Sequence, residues 1–407
     1  MKMRVWGFCE NAYPEAWHPD LKSLRNNLPS RNMDPVKAAD ILHRHLDEWA
    51  MLDELGMDIC INEHHSTATC LNASCTLPLS ILARETKKAR LMSLGIHIAN
   101  RPDPIRVAEE VALIDVYSRG RFEMGFVKAS PYEVFPANAQ PVGQQRRFLE
   151  AYDLICKALT SHDGPFSWEG EFFHYRDVNV WPRPYQQPLP PSWFVSMSPN
   201  GGGWIADRNA GVGTFLSGRS SKLLFDSYRR RSIEVGRPVG PEKLAYLAIV
   251  AVADTEEKAK RRAWEILGYV RTSPIVAKQF VNPPGYVSVE DNARALRTSI
   301  IPGYVPTYAT MMLNDGTRIP QATATVDQLI DAMAVFAGTP DQVFEQLKAY
   351  NNYVGGCGNL LMMGQGGNLN HADTVDNYRL FAKYVLPRLQ DLEVTIAHDA
   401  MPLASAK

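Results

Sequence analysis

Three adjacent residues, Glu63-His64-His65, combine a carboxylate with two imidazoles directly after the short apolar run Ile59-Cys60-Ile61. That run reads as a buried strand, so the triplet sits at a strand end. Successive side chains of an extended chain point to opposite faces, so one imidazole can enter a site while its neighbour packs aside. Histidine titrates near neutrality and suits proton transfer. The same triplet could instead only brace its loop by hydrogen bonds, and the residues alone leave both readings open. A metal site is a third reading, but consecutive histidines rarely share an ion and no helical i, i+4 partner is visible, so no metal is expected.

A second stretch is Ser196-Met197-Ser198-Pro199-Asn200-Gly201-Gly202-Gly203-Trp204. A strand ends, small residues follow, and a helix begins. The first N–H groups of such a helix can hold a phosphate, although a plain glycine-rich turn would look the same. Lys128 follows the strand Glu123–Val127, and Arg146 and Arg147 open a helix. These cations can neutralise a phosphate or a carboxylate, or simply pair on the surface. Trp6, Tyr132, Trp181, Tyr185 and Trp193 gather near predicted strand ends. Such rings can wall a planar cofactor, though core and loop packing accounts for most of them.

The elements that must position these residues alternate in type. Strands are predicted at Val5–Cys9, Ile59–Ile61, Arg90–Ile98, Gly120–Phe126, Trp193–Ser196, Gly211–Leu216, Leu244–Val252 and Asn359–Met363. Helices are predicted from Asp34-Pro35 to Gly56, over Leu77–Thr86, Pro104–Tyr117, Arg146–Leu159, Leu223–Gly236 and Thr255–Val270, from Thr339-Pro340-Asp341, and over Asp376–Leu389; another starts at Trp204–Asn209. Alternating β and α elements imply a parallel sheet, and this length suits one (β/α)₈ TIM barrel with insertions. In that fold the ends of the strands face the active site. The whole chain, 1–407, is expected to form a single domain. Ser273–Thr325, rich in Pro, Gly, Tyr and Asn, breaks the rhythm and is expected to be a lid over the mouth.

Lys plus Arg number 43 and Asp plus Glu 44, so no strong field draws nucleic acid or an anionic membrane. No run of 18 apolar residues and no signal-peptide pattern is present. The six cysteines form no CxxC pair and read as reduced thiols, which suits the cytoplasm. Neither GxGxxG after a first strand, nor a P-loop, nor a GxSxG elbow occurs.

Several segments, in order, resemble the bacterial luciferase-like, flavin-dependent monooxygenases. They are Leu55–His65, Ala83–Leu91, Pro104–Glu110, Leu113–Gly125, Ser196–Pro199 and Phe336–Val343. The resemblance covers nearly the whole chain apart from Ser273–Thr325. It implies a barrel that binds reduced FMN (FMNH2) and reacts it with O2 through a flavin 4a-(hydro)peroxide. A separate NAD(P)H:flavin reductase would supply the reduced flavin, since no nicotinamide site is visible. A small organic molecule would be oxygenated, and the barrels would pair as a homodimer.

Residue by residue, the resemblance gives His64 an acid/base or peroxide-stabilising role, with His65 and Glu63 beside it. Gly95-Ile96 falls where the family often has a non-prolyl cis peptide beneath the flavin. Asn100, Lys128 and Arg146 become flavin or phosphate contacts, and Ser196, Ser198, Gly201 and Gly202 form the phosphate loop. The family's Gly-Arg strand end is replaced here by Phe126-Val127-Lys128-Ala129-Ser130, and Val127 stands where luciferase has a reactive cysteine. Aldehyde-dependent light emission is therefore not the expected activity. The alternatives are a deazaflavin-dependent hydride transferase on the same barrel and a non-catalytic flavin-binding subunit. The Tyr and Pro content of Ser273–Thr325 points to an apolar or aromatic ligand.

Overall fold

Apolar residues along each strand alternate between two destinations. In β1 (Arg4–Glu10), Val5 and Cys9 join a layer beneath the helices, while Trp6 and Phe8 join an inner cluster. Helix α1 (Pro35–Glu54) starts where Asp34 accepts the Val36 N–H and Pro35 takes the first turn, and it leads into β2 (Asp58–Ile61). Ile59 and Ile61 face the helices and Cys60 faces inward. Helix α2 (Thr76–Glu85), β3 (Leu91–Ser93), α3 (Pro104–Tyr117) and β4 (Phe122–Phe126) continue the pattern. After α4 (Gln144–Thr160) comes an antiparallel hairpin, β5 (Phe166–Glu169) and β6 (His174–Val178), and then β7 (Ser192–Val195), α5 (Pro199–Asp207), β8 (Gly211–Phe215) and α6 (Ser221–Glu234). β9 (Leu244–Val252) shows the alternation most fully. Leu244, Tyr246, Ala248 and Val250 pack outward, and Ala245, Leu247, Ile249 and Ala251 pack inward.

The chain continues through α7 (Glu256–Ile266), α8 (Gly268–Thr272), a hairpin of β10 (Thr310–Met312) and β11 (Arg318–Pro320), β12 (Val335–Gly338), a helix at Pro340–Tyr353, β13 (Asn359–Gly366) and a helix at His371–Leu380. This computed structural model describes residues 2–18, 20–281, 283–287, 289, 293 and 310–396.

β1, β2, β3, β4, β7, β8, β9 and β13 pair in that order, all parallel, and β13 returns to β1. The expected eight-stranded (β/α)₈ barrel is therefore formed. Its inside is packed rather than hollow, as in such barrels generally. Polar groups close its N-terminal end. Trp193 Nε1 donates to Glu123 at 2.6 Å, Trp6 Nε1 to Asn359 at 3.1 Å, and Arg4 bonds both Asp58 and Glu123. Trp6 and Trp193 thus plug the base, and Trp181 and Tyr185 lie exposed on the surface.

Several boundaries differ from the sequence expectation. The strand expected over Arg90–Ile98 ends at Ser93; beyond it the chain leaves the ladder, and only an isolated bridge joins Ile96 to Phe126. The helix expected over Thr255–Val270 is divided at Leu267, and the last helical stretch begins at His371, before Asp376. A ninth strand, β12, was not anticipated. β9 is long enough to carry it: Leu247 accepts from Leu216 after β8, and two residues on Ile249 donates to Ala334 before β12. Of the expected lid, 273–281, 283–287 and the β10–β11 hairpin lie among the described residues, and most of 288–309 lies outside them. Its start packs on the barrel's C-terminal rim, where Leu24 donates to Ile275 O and the Tyr286 hydroxyl to Ala129 O.

Candidate functional site

Continuing the alternation of β2 past its end sends His64 inward with Cys60, and Glu63 and His65 outward. Glu63 is buried, and its carboxylate ties three segments together. It accepts the N–H of Cys75 at 3.2 Å just before α2 and that of His97 at 3.1 Å after β3, and it also pairs with Arg101 at 3.3 Å and His65 at 3.4 Å. Burial favours the neutral acid, but the His65 hydrogen bond, His97 and Arg101 outweigh it and hold the carboxyl down to about 2. Glu63 therefore braces the rim, and His65 lies against it.

His64 stands among groups from five other segments, its side chain only 16% exposed. Its Nδ1 is 3.2 Å from Glu133 Oε1 and 3.4 Å from the Tyr132 hydroxyl. Its Nε2 is 3.3 Å from the Tyr269 hydroxyl and 3.7 Å from Glu10 Oε2. Burial opposes the imidazolium, but Glu10 and Glu133 outweigh it and raise the His64 pKa. Glu133 sits in the short helical turn Pro131–Glu133 after β4, within a capping box with Ser130. It accepts the N–H of His65 at 2.9 Å and of Ser130 at 2.8 Å. Burial would favour the neutral Glu133 acid, but His97, His64 and those amides keep it well below the usual carboxylate range. Glu10, at the end of β1, is pushed up by burial despite His64 and the Asn62 amide that donates to it at 2.6 Å. Burial lowers His97, against the pull of Glu133 and Glu63. Arg25, wholly buried, donates to the Tyr132 hydroxyl and to Ser273 O.

Aromatic rings continue this cluster across the mouth. His97 lies 5.9 Å from His64, His64 6.3 Å from Tyr269, and Tyr269 6.2 Å from Phe215 at the end of β8, on the far side of the barrel. Glu63, His65 and His97 bring ligand atoms within 4.8 Å of one another, as do His64, His97 and Glu133.

The other predicted residues separate into groups. The cis peptide bond joins Leu94 to Gly95, one residue before the Gly95-Ile96 bond singled out in the sequence. Leu94 enters the barrel between two glycines. A Cβ on Gly125 would lie 2.8 Å from Leu94 Cδ1, and one on Gly213 3.5 Å from Cδ2. Gly95 lies against β4, where a Cβ would meet Gly125 O at 2.9 Å, and Ile96 is fully buried. Asn100 is tied to Glu133 O and Gln144. Lys128 lies over the Tyr286 ring at 4.5 Å. Arg146 points to the β5–β6 hairpin, pairing with Glu171 at 2.9 Å, whereas Arg147 holds the carbonyls of Ala99 and Arg101.

At the start of α5, Ser198 accepts the Asn200 N–H at 3.3 Å, and residues 198–200 are exposed. Ser196 Oγ fills the place a Gly201 side chain would need, 2.0 Å from its Cβ position. Gly202 serves helix packing, since a Cβ there would meet Tyr228 N on α6 at 2.6 Å. A groove of about 890 Å³ between α1 and the helix at His371–Leu380, lined by Glu48, Glu54, Lys87 and His371 among others, includes none of these residues.

The model of luciferase-like monooxygenases matches residues 27–355. The chain belongs to that family. Limonene 1,2-monooxygenase of Rhodococcus erythropolis is 23% identical over 357 residues, covering 85% of this chain and 81% of that protein. The uncharacterized protein y4wF of Sinorhizobium fredii is 29% identical over 168 residues, 41% of this chain and 48% of its own length, so the chain spans about half of that relative. Among solved structures, the FMN complex of the oxygenating constituent of 3,6-diketocamphane monooxygenase, from the CAM plasmid of Pseudomonas putida, superposes with a TM-score of 0.68 at 18% identity, over 98% of this chain and 100% of that one. An F420-dependent secondary alcohol dehydrogenase with an F420-acetone adduct gives 0.64 at 16% identity, over 96% and 100%. At these identities the structures show the shared fold. For the luciferase-like chain, Glu63-His64-His65 was legible in sequence. Glu10, Arg25, His97, Glu133 and Tyr269 were missed. The Ser130–Glu133 capping pair was the one local signal that could have pointed to Glu133.

Proposed function

We propose that this chain is the oxygenating component of a two-component monooxygenase, using reduced FMN and O2 on a small apolar organic substrate. The observation that carries this reading is His64, set between Glu10 and Glu133 at the C-terminal rim of a luciferase-like barrel. The barrel's other half offers groups that fit a flavin. The exposed start of α5 would bring the Ser198 hydroxyl and the positive end of the helix to a phosphate, with Ser196 holding the turn through its bonds to Ser198. Gly125 and Gly213 leave room for Leu94 to lie as an apolar support under a flat ring. Val195 and Phe215, packed against the inner cluster, would exclude water from the mouth.

When bound, reduced flavin supplies the electrons that activate oxygen. His64 would hold or release the proton that the oxygenation step requires, with Glu133 and Tyr132 orienting its ring. Asn100 and Arg147 would keep the loop after β3 in place. Lys128, with Tyr286 over it, would fasten 283–287 to the rim, and Ser273–Thr325 would act as the lid. We assign the reduced flavin to a separate NAD(P)H:flavin reductase. We infer a homodimer through α2, where Leu77 and Ile81 are exposed one turn apart, and a cytoplasmic location. Among the described residues no helix is long and apolar enough to cross a membrane.

A second reading, hydride transfer with a deazaflavin, is favoured by the F420-dependent neighbour, whose barrel aligns almost as well. Titrating the protein anaerobically with reduced FMN and with reduced F420, followed by fluorescence, separates the two. Tighter binding of FMN and oxygen uptake linked to a hydroxylated or oxygen-inserted product support the proposal; binding of F420 alone overturns it. A non-catalytic flavin-binding subunit would show no turnover, or a turnover that His64→Ala leaves unchanged.

A further inference from the structure

His64 is held through both ring nitrogens, and the partners on its two sides differ in what they can accept or donate. A carboxylate that receives two backbone N–H groups, as Glu133 does from His65 and Ser130, behaves as an ionised, acceptor-only group. The 3.2 Å contact to His64 Nδ1 therefore requires Nδ1 to carry a hydrogen. A neutral imidazole has one N–H, so Nε2 must then be the bare acceptor. The one hydroxyl within hydrogen-bond reach of Nε2 among the described residues is that of Tyr269, at 3.3 Å.

Tyr269 comes from α8, 205 residues along the chain. It also lies close enough to Arg25 and Glu10 to influence both electrostatically. Guanidinium can only donate, so Arg25 offers the Tyr269 hydrogen no acceptor, and that hydrogen is left for Nε2 or for Glu10. Its ring is fixed as well, stacked on His64 on one side and edge-on to Phe215 on the other.

We propose that neutral His64 is held as the Nδ1–H tautomer and that Tyr269 is the positioning residue for its Nε2. The Tyr269 hydroxyl donates to Nε2 when His64 is neutral. It turns to Glu10 when His64 is protonated, leaving its oxygen to accept the new Nε2–H. Substrate then meets an imidazole whose reactive nitrogen is Nε2 and whose proton count is registered by one tyrosine hydrogen. The groups facing His64 from the surrounding elements are Glu10 after β1, Arg25 in the following loop, His97 after β3, Tyr132 and Glu133 after β4, and Tyr269 on α8. The tautomer rests on the Glu133 contact to Nδ1 at 3.2 Å, shorter than the 3.4 Å to the Tyr132 hydroxyl, while its catalytic meaning rests on the function proposed above.

The test uses ¹⁵N-histidine NMR of the full chain, without ligand, with the His64 signals assigned from His64→Gln. Above its titration midpoint, wild-type His64 should show the pyrrole-type nitrogen at Nδ1 and the pyridine-type nitrogen at Nε2. Glu133→Gln should shift the population toward Nε2–H. Tyr269→Phe keeps the ring and should preserve the Nδ1–H tautomer, while moving the Nε2 resonance downfield toward that of an unbonded pyridine-type nitrogen. In turnover with reduced FMN and oxygen, Tyr269→Phe should lower kcat by about tenfold or more with KM changed less than threefold. A dominant Nε2–H tautomer in the wild type overturns the proposal, and so does an Nε2 resonance that Tyr269→Phe leaves unmoved. Absence of flavin binding would refute the proposed function while the NMR result still decides the tautomer.

Discussion

Oε2 of Glu63 accepts the backbone N–H of Cys75 at 3.2 Å, joining the end of β2 to the start of α2. The bond is one of several that converge on this carboxylate, and they stabilise its ionised form. Its pKa falls from 4.5 when unfolded to about 2 when folded, so the stabilisation is present above pH 4.5 and is lost as pH falls toward 2. The shift sets an upper bound of roughly 3 kcal/mol on that contribution. Glu63→Gln should lower the thermal midpoint at pH 7. The gap between wild type and variant should close between pH 4.5 and 2, as read by thermal melts across that window. A gap that stays constant with pH would show that the charge is not what matters.

His64 should respond to pH in the opposite sense. Its folded pKa is raised above 6.5, so the stability it contributes is complete below 6.5 and is lost as pH climbs through the raised value. Urea unfolding of wild type and His64→Gln at a series of pH values from 6 to 9 should show the wild type's advantage shrinking as pH rises. An advantage that grows with pH would mean that the histidine is held neutral.

The glycines at the mouth should behave unequally. A Cβ on Gly125 would lie 1.9 Å from Ser93 O, and backbone cannot move aside cheaply, so Gly125→Ala should prevent accumulation of folded protein. At Gly213 a Cβ makes ordinary contact, 3.5 Å from Leu94 Cδ2, so Gly213→Ala should fold while crowding the Leu94 side chain proposed to lie under the flavin. Its far-ultraviolet circular dichroism should match the wild type, and its affinity for FMN should fall by about tenfold or more, a loss of roughly 1.4 kcal/mol or more in binding. Unchanged FMN affinity would place the flavin elsewhere.

The glycine run divides in the same way. Gly202→Ala forces α5 and α6 apart at Tyr228 and should cost roughly 1–3 kcal/mol, as overpacking does. Gly203 has nothing within 4 Å of its Cβ position, so Gly203→Ala should stabilise the helix by about 0.5–1 kcal/mol. Denaturant midpoints with an unchanged slope would check both. Equal effects at the two positions would remove the packing explanation for Gly202.

The barrel was legible because its signals are local. Inward and outward positions alternate along β9, and Asp34-Pro35 and Thr339-Pro340 mark helix starts by capping chemistry that needs no distant partner. His64 was legible for the same reason, since strand periodicity carries it inward. Its partners were not. Glu133, Arg25 and Tyr269 reach it from a short helical turn, a loop and α8, and which segments meet above a barrel is fixed by tertiary packing that no short pattern records. The packing role of Gly202 was not legible, because a glycine that admits a neighbouring helix and one that admits a phosphate leave the same letter. β12 was missed because its few residues pair only with the overhang of β9, whose length reads as one ordinary strand.

The order of the strands divides the rim. Glu10, Glu63, His64, His97 and Glu133 all follow the first four barrel strands, while Ser196, Ser198, Gly213 and Phe215 belong to the next two. The proposed acid–base groups and the proposed phosphate end of the cofactor seat therefore lie on separate halves of the rim, bridged across the mouth by Tyr269 from α8, with Leu94 reaching from the first half toward Gly213 in the second. If both proposed roles hold, each half can vary on its own: substitutions near His64 would change proton handling while leaving the α5 end of the seat intact, and changes at α5 would alter what is seated while leaving the His64 contacts in place.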